Sequence, residues 1–281
     1  MGLVANAGLM VGEAVAGLAF RSLALLADAV HLLTDVSGLA IALLALRLIE
    51  RPATPRHSFG LERAEVLAAQ ANGVILLGAS AWVFYEAARR LAHPVHVAGG
   101  GVLAVATVGL VVNVGSAWLL GRVRGRSLNM RGAWLHLGAD ALGSLGAMVA
   151  AVIILGWDIH RSDPAISLLI GALVLWAAWR LLRDTTHVLL EAAPRGMDPE
   201  AVAHALSEED GVLSVHHLHL WSVASDLPAL SAHVVLAADT SMHEAQLKAD
   251  HLKALLAEGF GIEHATLELE CHEHPAAEHG E

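Results

Sequence analysis

The sequence predicts an α-helical membrane protein of six transmembrane helices, followed by a C-terminal α+β domain of ferredoxin-like build on the cytoplasmic side. Three observations predict it. The 281 residues are 56% hydrophobic, with a mean hydropathy of +0.57, too apolar for an ordinary soluble domain. Six apolar runs approach or exceed the roughly 20 residues that cross a bilayer. The charge is also split: residues 198–281 hold 16 acidic and 2 basic residues, net −14, whereas residues 1–197 carry net +3.

The apolar runs lie near 3–20, 23–49, 65–90, 97–121, 131–157 and 164–183. The first carries Asn6 and Glu13 and lacks the basic leader of a cleavable signal. The connections after runs two, four and six hold 11 arginines, against 4 in the opposite connections. That asymmetry places the heavier connections and both termini in the cytoplasm. Between runs two and three, RPATPRHSFGLER at 51–63 ends the second helix with Pro52 and Pro55 and carries His57. Gln70, Asn72, Ser80 and Asn113 lie inside runs three and four, where amides join helices more often than they bind substrate.

The second run reads LALLADAVHLLTDVSGLA and the fifth WLHLGADALGSLGAM. Both contain His-x-x-x-Asp: His31 with Asp35, and His136 with Asp140, each followed by glycine at the same offset, Gly38 and Gly143. Residues four apart on a helix stand one turn above each other on one face. Two such helices facing each other supply two imidazoles and two carboxylates, a tetrahedral set for a zinc-like ion. An Asp at the centre of a membrane helix costs roughly 2.5–3.5 kcal/mol on insertion scales, so such residues face the bundle interior and mark ion paths. A single pair of this kind also fits a structural hydrogen bond; two copies favour the metal reading. Glu13 fits an ion-path residue or a hydrogen-bonded packing residue. Asp28 shares a helix face with His31 and Asp35, within about 60°. It fits a partner for an imidazole N–H, a group in a cavity leading to the site, or a cap for the helix that begins after Arg21 and Ser22.

The chain divides into residues 1–190 in the membrane, a linker at 191–197 marked by Pro194 and Gly196, a domain at 198–271, and a His-rich tail at 272–281. The domain reads helix 198–209 with Asp198 as N-cap and Pro199 at N1, strands 212–223 and 229–237 around a turn at 225–228, helix 241–258 ended by Gly259 and Gly261, and strand 262–271. Eleven of the 18 histidines fall in residues 198–281. Strict alternation puts His217 and His219 on one face of the first strand and His216 on the other. With His233, Glu268, Glu270, Cys271, His272, His274 and His279 they could form peripheral metal sites, or decorate an exposed strand and a flexible tail. The acidic balance suits divalent cations and repels nucleic acid. The single cysteine, Cys271, excludes a disulfide framework within one chain. There is no Gly-x-x-x-x-Gly-Lys-Ser/Thr loop for ATP and no His-Glu-x-x-His of a metallohydrolase.

The stretches SLALLADAVHLLTD, RHSFGLERAE, LHLGADALGS, and VHHLHLWSV with SAHVVL, in that order, resemble the cation diffusion facilitators, above all their bacterial zinc-type branch. The resemblance covers essentially the whole chain. It implies a homodimer of six-helix subunits in the bacterial inner membrane, with ferredoxin-like cytoplasmic domains, that exchanges divalent metal for protons and exports Zn2+ from the cytoplasm. It implies a transport site of His31, Asp35, His136 and Asp140, with His in both first positions similar to zinc transporters. In the loop where some members hold a metal with one Asp and two His, only His57 matches; Thr54 and Leu61 stand at the other positions. The long His-rich connection of many eukaryotic members is missing between helices four and five. In the cytoplasmic domain His216 and His233 match metal positions, His219 belongs to the same signature, and the region of Gln246, Glu268 and Glu270 matches less cleanly. Export of Cd2+, Co2+ or Ni2+ by the same fold, and a non-transporting sensor or assembly partner, stay open on these residues.

Overall fold

The computed structural model describes residues 2–49, 52–122, 128–224 and 227–272. Six long helices come first: α1 Gly2–Phe20, α2 Leu23–Ile49, α3 Arg63–Ala92, α4 Gly99–Arg122, α5 Leu128–Trp157 and α6 Ser162–Leu189. After them come α7 Pro199–Ser207, β1 Val212–Ala224, β2 Leu227–Leu236, α8 Met242–Phe260 and β3 His264–Glu270. Among the described residues, Arg63–Ala92, Gly99–Trp118, Asp140–Trp157 and Ser162–Leu189 are long and apolar enough to cross a membrane; Asn6–Phe20 is a shorter apolar helix. That is four spans by length and composition where the sequence predicts six. The second apolar run does form one helix of 27 residues, but it carries Asp28, Asp35 and Arg47.

The chain forms two compact units: Met1–Leu44 with Ala68–Leu182, and Ala45–Leu67 with Arg183–Glu281. The first is turned inside out relative to a soluble protein. Val11, Val15, Leu18, Val108, Val111, Leu169, Leu173 and Trp176 are exposed, while Glu13, Asp28, Asn72, Ser80, Asn113, Asp140 and Ser144 are buried. Apolar solvent outside and polar groups inside is the arrangement a bilayer imposes. Two apolar clusters share α2. Ala24 and Leu25 pack with Ala16 of α1, Val102 and Ala106 of α4, and Ala147 and Ala151 of α5; Ala27 packs with Leu76 and Val83 of α3 and Ile170 and Val174 of α6.

The start of α2 is capped from afar. Asp163, fully buried at the first turn of α6, accepts from Leu23 N at 2.6 Å, Ala24 N at 3.2 Å and the Ser22 hydroxyl at 2.5 Å. A helix leaves its first N–H groups without partners, and a carboxylate placed there satisfies them. Asp28 therefore does not cap α2. The α2–α3 interhelical contact includes a side-chain bond, Ser37 Oγ to Asn72 Oδ1 at 2.7 Å, as the intramembrane amides predict.

In the second unit β1 pairs antiparallel with β2, and β2 pairs parallel with β3 across α8, giving sheet order β1-β2-β3. Val202 and Leu206 of α7 and Leu252 and Leu256 of α8 are fully buried against Leu220, Leu230, Ala232 and Val234 of the sheet. Each such side chain contributes roughly 1.5–3 kcal/mol by leaving water. Asp198 caps α7 through Glu200 N, with Pro199 at N1, as the sequence predicts. Boundaries shift by up to two residues, and two of the shifts involve glycine or proline. Gly259 lies inside α8, which ends at Gly261 in the left-handed region (φ 69°). Leu227 and Pro228 belong to β2 rather than the turn, of which 225–226 lie outside the described residues. The β2–β3 ladder starts at Ala229, so Pro228, lacking an N–H, breaks no bond to β3.

Candidate metal centres

The first centre lies between α2 and α5. His31 Nε2 stands 3.2 Å from Asp140 Oδ1. His31, Asp35 and Asp140 each bring one nitrogen or carboxylate oxygen to within 4.8 Å of the others. Asp140 is 1% exposed; the His31 side chain keeps 24%. Helical spacing brings Asp35 under His31, as the i, i+4 pattern requires. His136 precedes Asp140 by one turn on α5, and its side chain lies outside the described residues. One imidazole and two carboxylates already make a set suited to zinc-like ions.

A second layer of oxygen atoms adjoins this centre. Asp28 is buried and accepts from the Ser144 hydroxyl at 3.4 Å. A Cβ built at Gly143 would meet the Asp28 carboxylate, so the glycine after the second His-Asp pair makes room for it. Glu13 is fully buried. A Cβ at Gly109 would lie 2.8 Å from Glu13 Oε1 and 2.9 Å from Ser144 Oγ. Ser144, Gly109 and Asp163 were not singled out from the sequence, since each acts on a residue distant in the chain.

The cytoplasmic-domain centre lies on the sheet. The β1–β2 register shifts between His216 and His219, and His217 adopts φ 46°. This bulge overturns strict alternation: an extra residue in one strand turns the side chains beyond it to new faces. His216 and His217 therefore both meet His233, with ring centroids 5.1 Å and 5.2 Å away. Glu270 bridges the imidazoles: His233 Nδ1 lies 2.7 Å from Oε1 and His216 Nε2 lies 3.1 Å from Oε2. Those two contacts, His233's first, hold the Glu270 carboxyl below its ordinary range. His233 Nε2 is also 3.5 Å from Glu268 Oε2. Two overlapping groups result, His216/His217/His233 and His233/Glu268/Glu270.

His219 does not join them. It pairs in register with Ser231 and lines a cavity of about 1040 Å³ with His57, Arg56, Phe59, Arg63, Glu191 and Trp221. His57 is exposed and sits in a tight turn closed by two backbone bonds with Thr54. Arg63 pairs with Glu191 at 2.8 Å beside it. Among the described residues, neither His57 nor His219 belongs to a group able to hold a metal. Gln246 bonds Asp250 along the exposed face of α8 and also stands apart from those groups. Exposed Cys271 and His272 adjoin each other; His274 and His279 lie outside the described residues.

Comparison with known proteins gives a consistent result. Residues 1–190 match the model of the cation efflux transmembrane domain, and residues 194–272 that of the cation efflux protein cytoplasmic domain. The chain is 39% identical over 269 residues to a cadmium, cobalt and zinc/H(+)-K(+) antiporter of Bacillus velezensis, covering 95% of this chain and 86% of that protein. It is 41% identical over 274 residues to the zinc transporter ZitB of Escherichia coli, again covering 95% and 86%. Among solved structures, the metal-bound C-terminal domain of the CzcD transporter from Cupriavidus metallidurans aligns with 34% identity, 26% of this chain, 99% of that chain and a TM-score of 0.24. With both domain models matched in order along nearly its whole length, the chain belongs to the cation diffusion facilitator family.

Proposed function

We propose that this protein exports Zn2+ from the cytoplasm in exchange for protons, by alternating access of a site made of His31, Asp35, His136 and Asp140. The observation that carries this reading is the meeting of His31, Asp35 and Asp140 inside an otherwise apolar bundle. Metal needs neutral imidazole and ionised carboxylate, so zinc and protons compete for the same atoms. Imidazole ordinarily titrates near ~6.5, within reach of a physiological proton gradient. Four protein ligands fill a tetrahedral ion and leave no open position for hydrolysis, which favours carriage over catalysis. The name of the Escherichia relative supports zinc as the cargo, and that of the Bacillus relative, a cadmium, cobalt and zinc/H(+)-K(+) antiporter, supports exchange for protons and extends the cargo to Cd2+ and Co2+.

His216, His233 and Glu270, with His217 and Glu268 in reach, hold a second, regulatory zinc in the cytoplasmic domain. The chain acts as a homodimer in the inner membrane of a bacterium, with both termini in the cytoplasm, on the resemblance and the arginine asymmetry of its connections. The test is Zn2+ flux into proteoliposomes under an imposed pH gradient. Wild type is expected to carry zinc. Asp140→Ala is expected to lose more than about 100-fold, beyond the 10–100-fold typical when an outer partner of a metal ligand is lost. Folded wild type that moves no zinc under any gradient overturns the reading; the same assay with Cd2+, Co2+ and Mn2+ ranks the cargoes.

A further inference from the structure

Glu13 lies outside the four-ligand set, yet it is fully buried and neither carboxyl oxygen has a hydrogen-bond partner among the described residues. Its place is shaped for an acid. Gly109 leaves the space that Glu13 Oε1 and the Ser144 hydroxyl occupy. That hydroxyl donates to Asp28, three residues from His31. On its other side Glu13 borders a cleft of about 590 Å³ between α1 and α4, otherwise lined by Gly8, Leu9, Gly12, Ala104 and valines.

Among the described residues, the ionisable groups acting on Glu13 are Asp28 from α2 and Asp140 from α5, both carboxylates. Residues 99–115 of α4 contain no ionisable side chain, and Glu13 is the only one in α1. An ionised Glu13 would therefore be a buried negative charge beside two other carboxyls. Such groups are neutralised by a proton or a cation, and neighbouring carboxyls in one dry site do not all ionise together. Chains of acidic residues within membrane helices carry protons in pumps and transporters.

We propose that Glu13 carries one of the protons exchanged for zinc, at a position separate from the metal ligands. This rests on the antiport reading above. With no metal bound, the Glu13 carboxyl holds its proton. When Zn2+ arrives at His31, Asp35 and Asp140, its charge stabilises the ionised carboxylate; the O–H bond breaks and the proton leaves to the cytoplasmic side. When Zn2+ departs on the outer side, a proton from outside forms that bond again. Glu13 thus returns one positive charge for the two that Zn2+ takes out, and protons on the ligands return the rest.

The test uses the full chain and Glu13→Gln. In detergent, zinc addition is expected to release about one proton fewer per zinc from the variant than from wild type, as metal binding and proton release are linked. In vesicles, gradient-driven zinc uptake is expected to fall at least about tenfold, while zinc-for-zinc exchange falls no more than about threefold, because only the former needs the lost proton. An infrared carbonyl band of a protonated acid should vanish when wild type binds zinc and be missing from Glu13→Gln. Wild-type proton release and uptake in the variant would overturn the proposal, as would equal loss of both transport modes in a folded variant. Should Glu13→Gln not fold, Glu13→Asp decides: a zinc-sensitive band identical to wild type assigns the proton elsewhere. Wild type without gradient-driven uptake would sink the antiport reading, and the infrared difference, which needs only zinc binding, would still judge Glu13.

Discussion

The two centres use the same side chains on opposite backbones. At the first, His31 and Asp140 meet across two helices through a side-chain contact of 3.2 Å. At the second, His216, His233 and Glu268 lie in register on three strands joined by a continuous backbone ladder. A ladder fixes neighbouring strands about 4.7–4.9 Å apart, so the ligands on it keep their spacing. Packed helices held by side chains can tilt or slide. A sheet of this kind suits retention of an ion, and a helical site suits uptake and release. The contrast supports the division proposed above, with transport at the helical centre and regulation at the sheet.

The contrast sharpens under substitution. Gly143→Ala puts a methyl where the Asp28 carboxylate lies and displaces that carboxylate beside the site. Flux through vesicles is expected to fall by about 10–100-fold, the usual cost of disturbing a metal site's supporting shell. Zinc binding by the cytoplasmic domain, measured by chelator competition, should be unchanged. If flux survives, transport does not need the Asp28 carboxylate in that place. His217→Ala should do the reverse: cytoplasmic zinc affinity weakens by about tenfold, and the intramembrane centre keeps its own affinity. Unchanged affinity in both would remove His217 from the sheet centre.

In the metal-free protein Glu270→Gln gives the smallest effect, a change in pH dependence. The imidazole contacts lower the Glu270 pKa in the folded domain. Their contribution is fully present above the ordinary carboxylate range and disappears as pH falls through the lowered value. The variant lacks it at every pH. Metal-free wild type should therefore protect the β2 and β3 amides from hydrogen exchange better than Glu270→Gln near neutrality, and the two should converge in acid. Equal protection at neutral pH would show that Glu270 stabilises only with metal bound.

The helices and the His-Asp pairs were legible in the sequence because each depends on local spacing alone. Apolar length marks a span, and residues four apart share a face whatever surrounds them. The cap of α7 was legible for the same reason. The features that escaped depend on partners distant in the chain. The bulge after His216 is a property of how β1 registers with β2, and a one-residue slip reverses every face. Asp163 caps a helix that starts 140 residues earlier. The α8 capping box, Ser241 with Glu244, was written locally in Ser-x-x-Glu and was overlooked beside the glycines at the other end.

The Asp163 cap has a mechanical consequence. It makes the first turn of α2 a fulcrum, because three hydrogen bonds and a buried carboxylate resist any lift of that end. From Leu23, at 1.5 Å per residue, His31 lies about 12 Å along the lever and Ile49 about 39 Å. A tilt that shifts the imidazole sideways by about 1 Å, enough to break a metal bond, swings the far end by about 3 Å. So held, α2 has the proportions of a lever, with His31 on the short arm and Ile49 at the end of the long one.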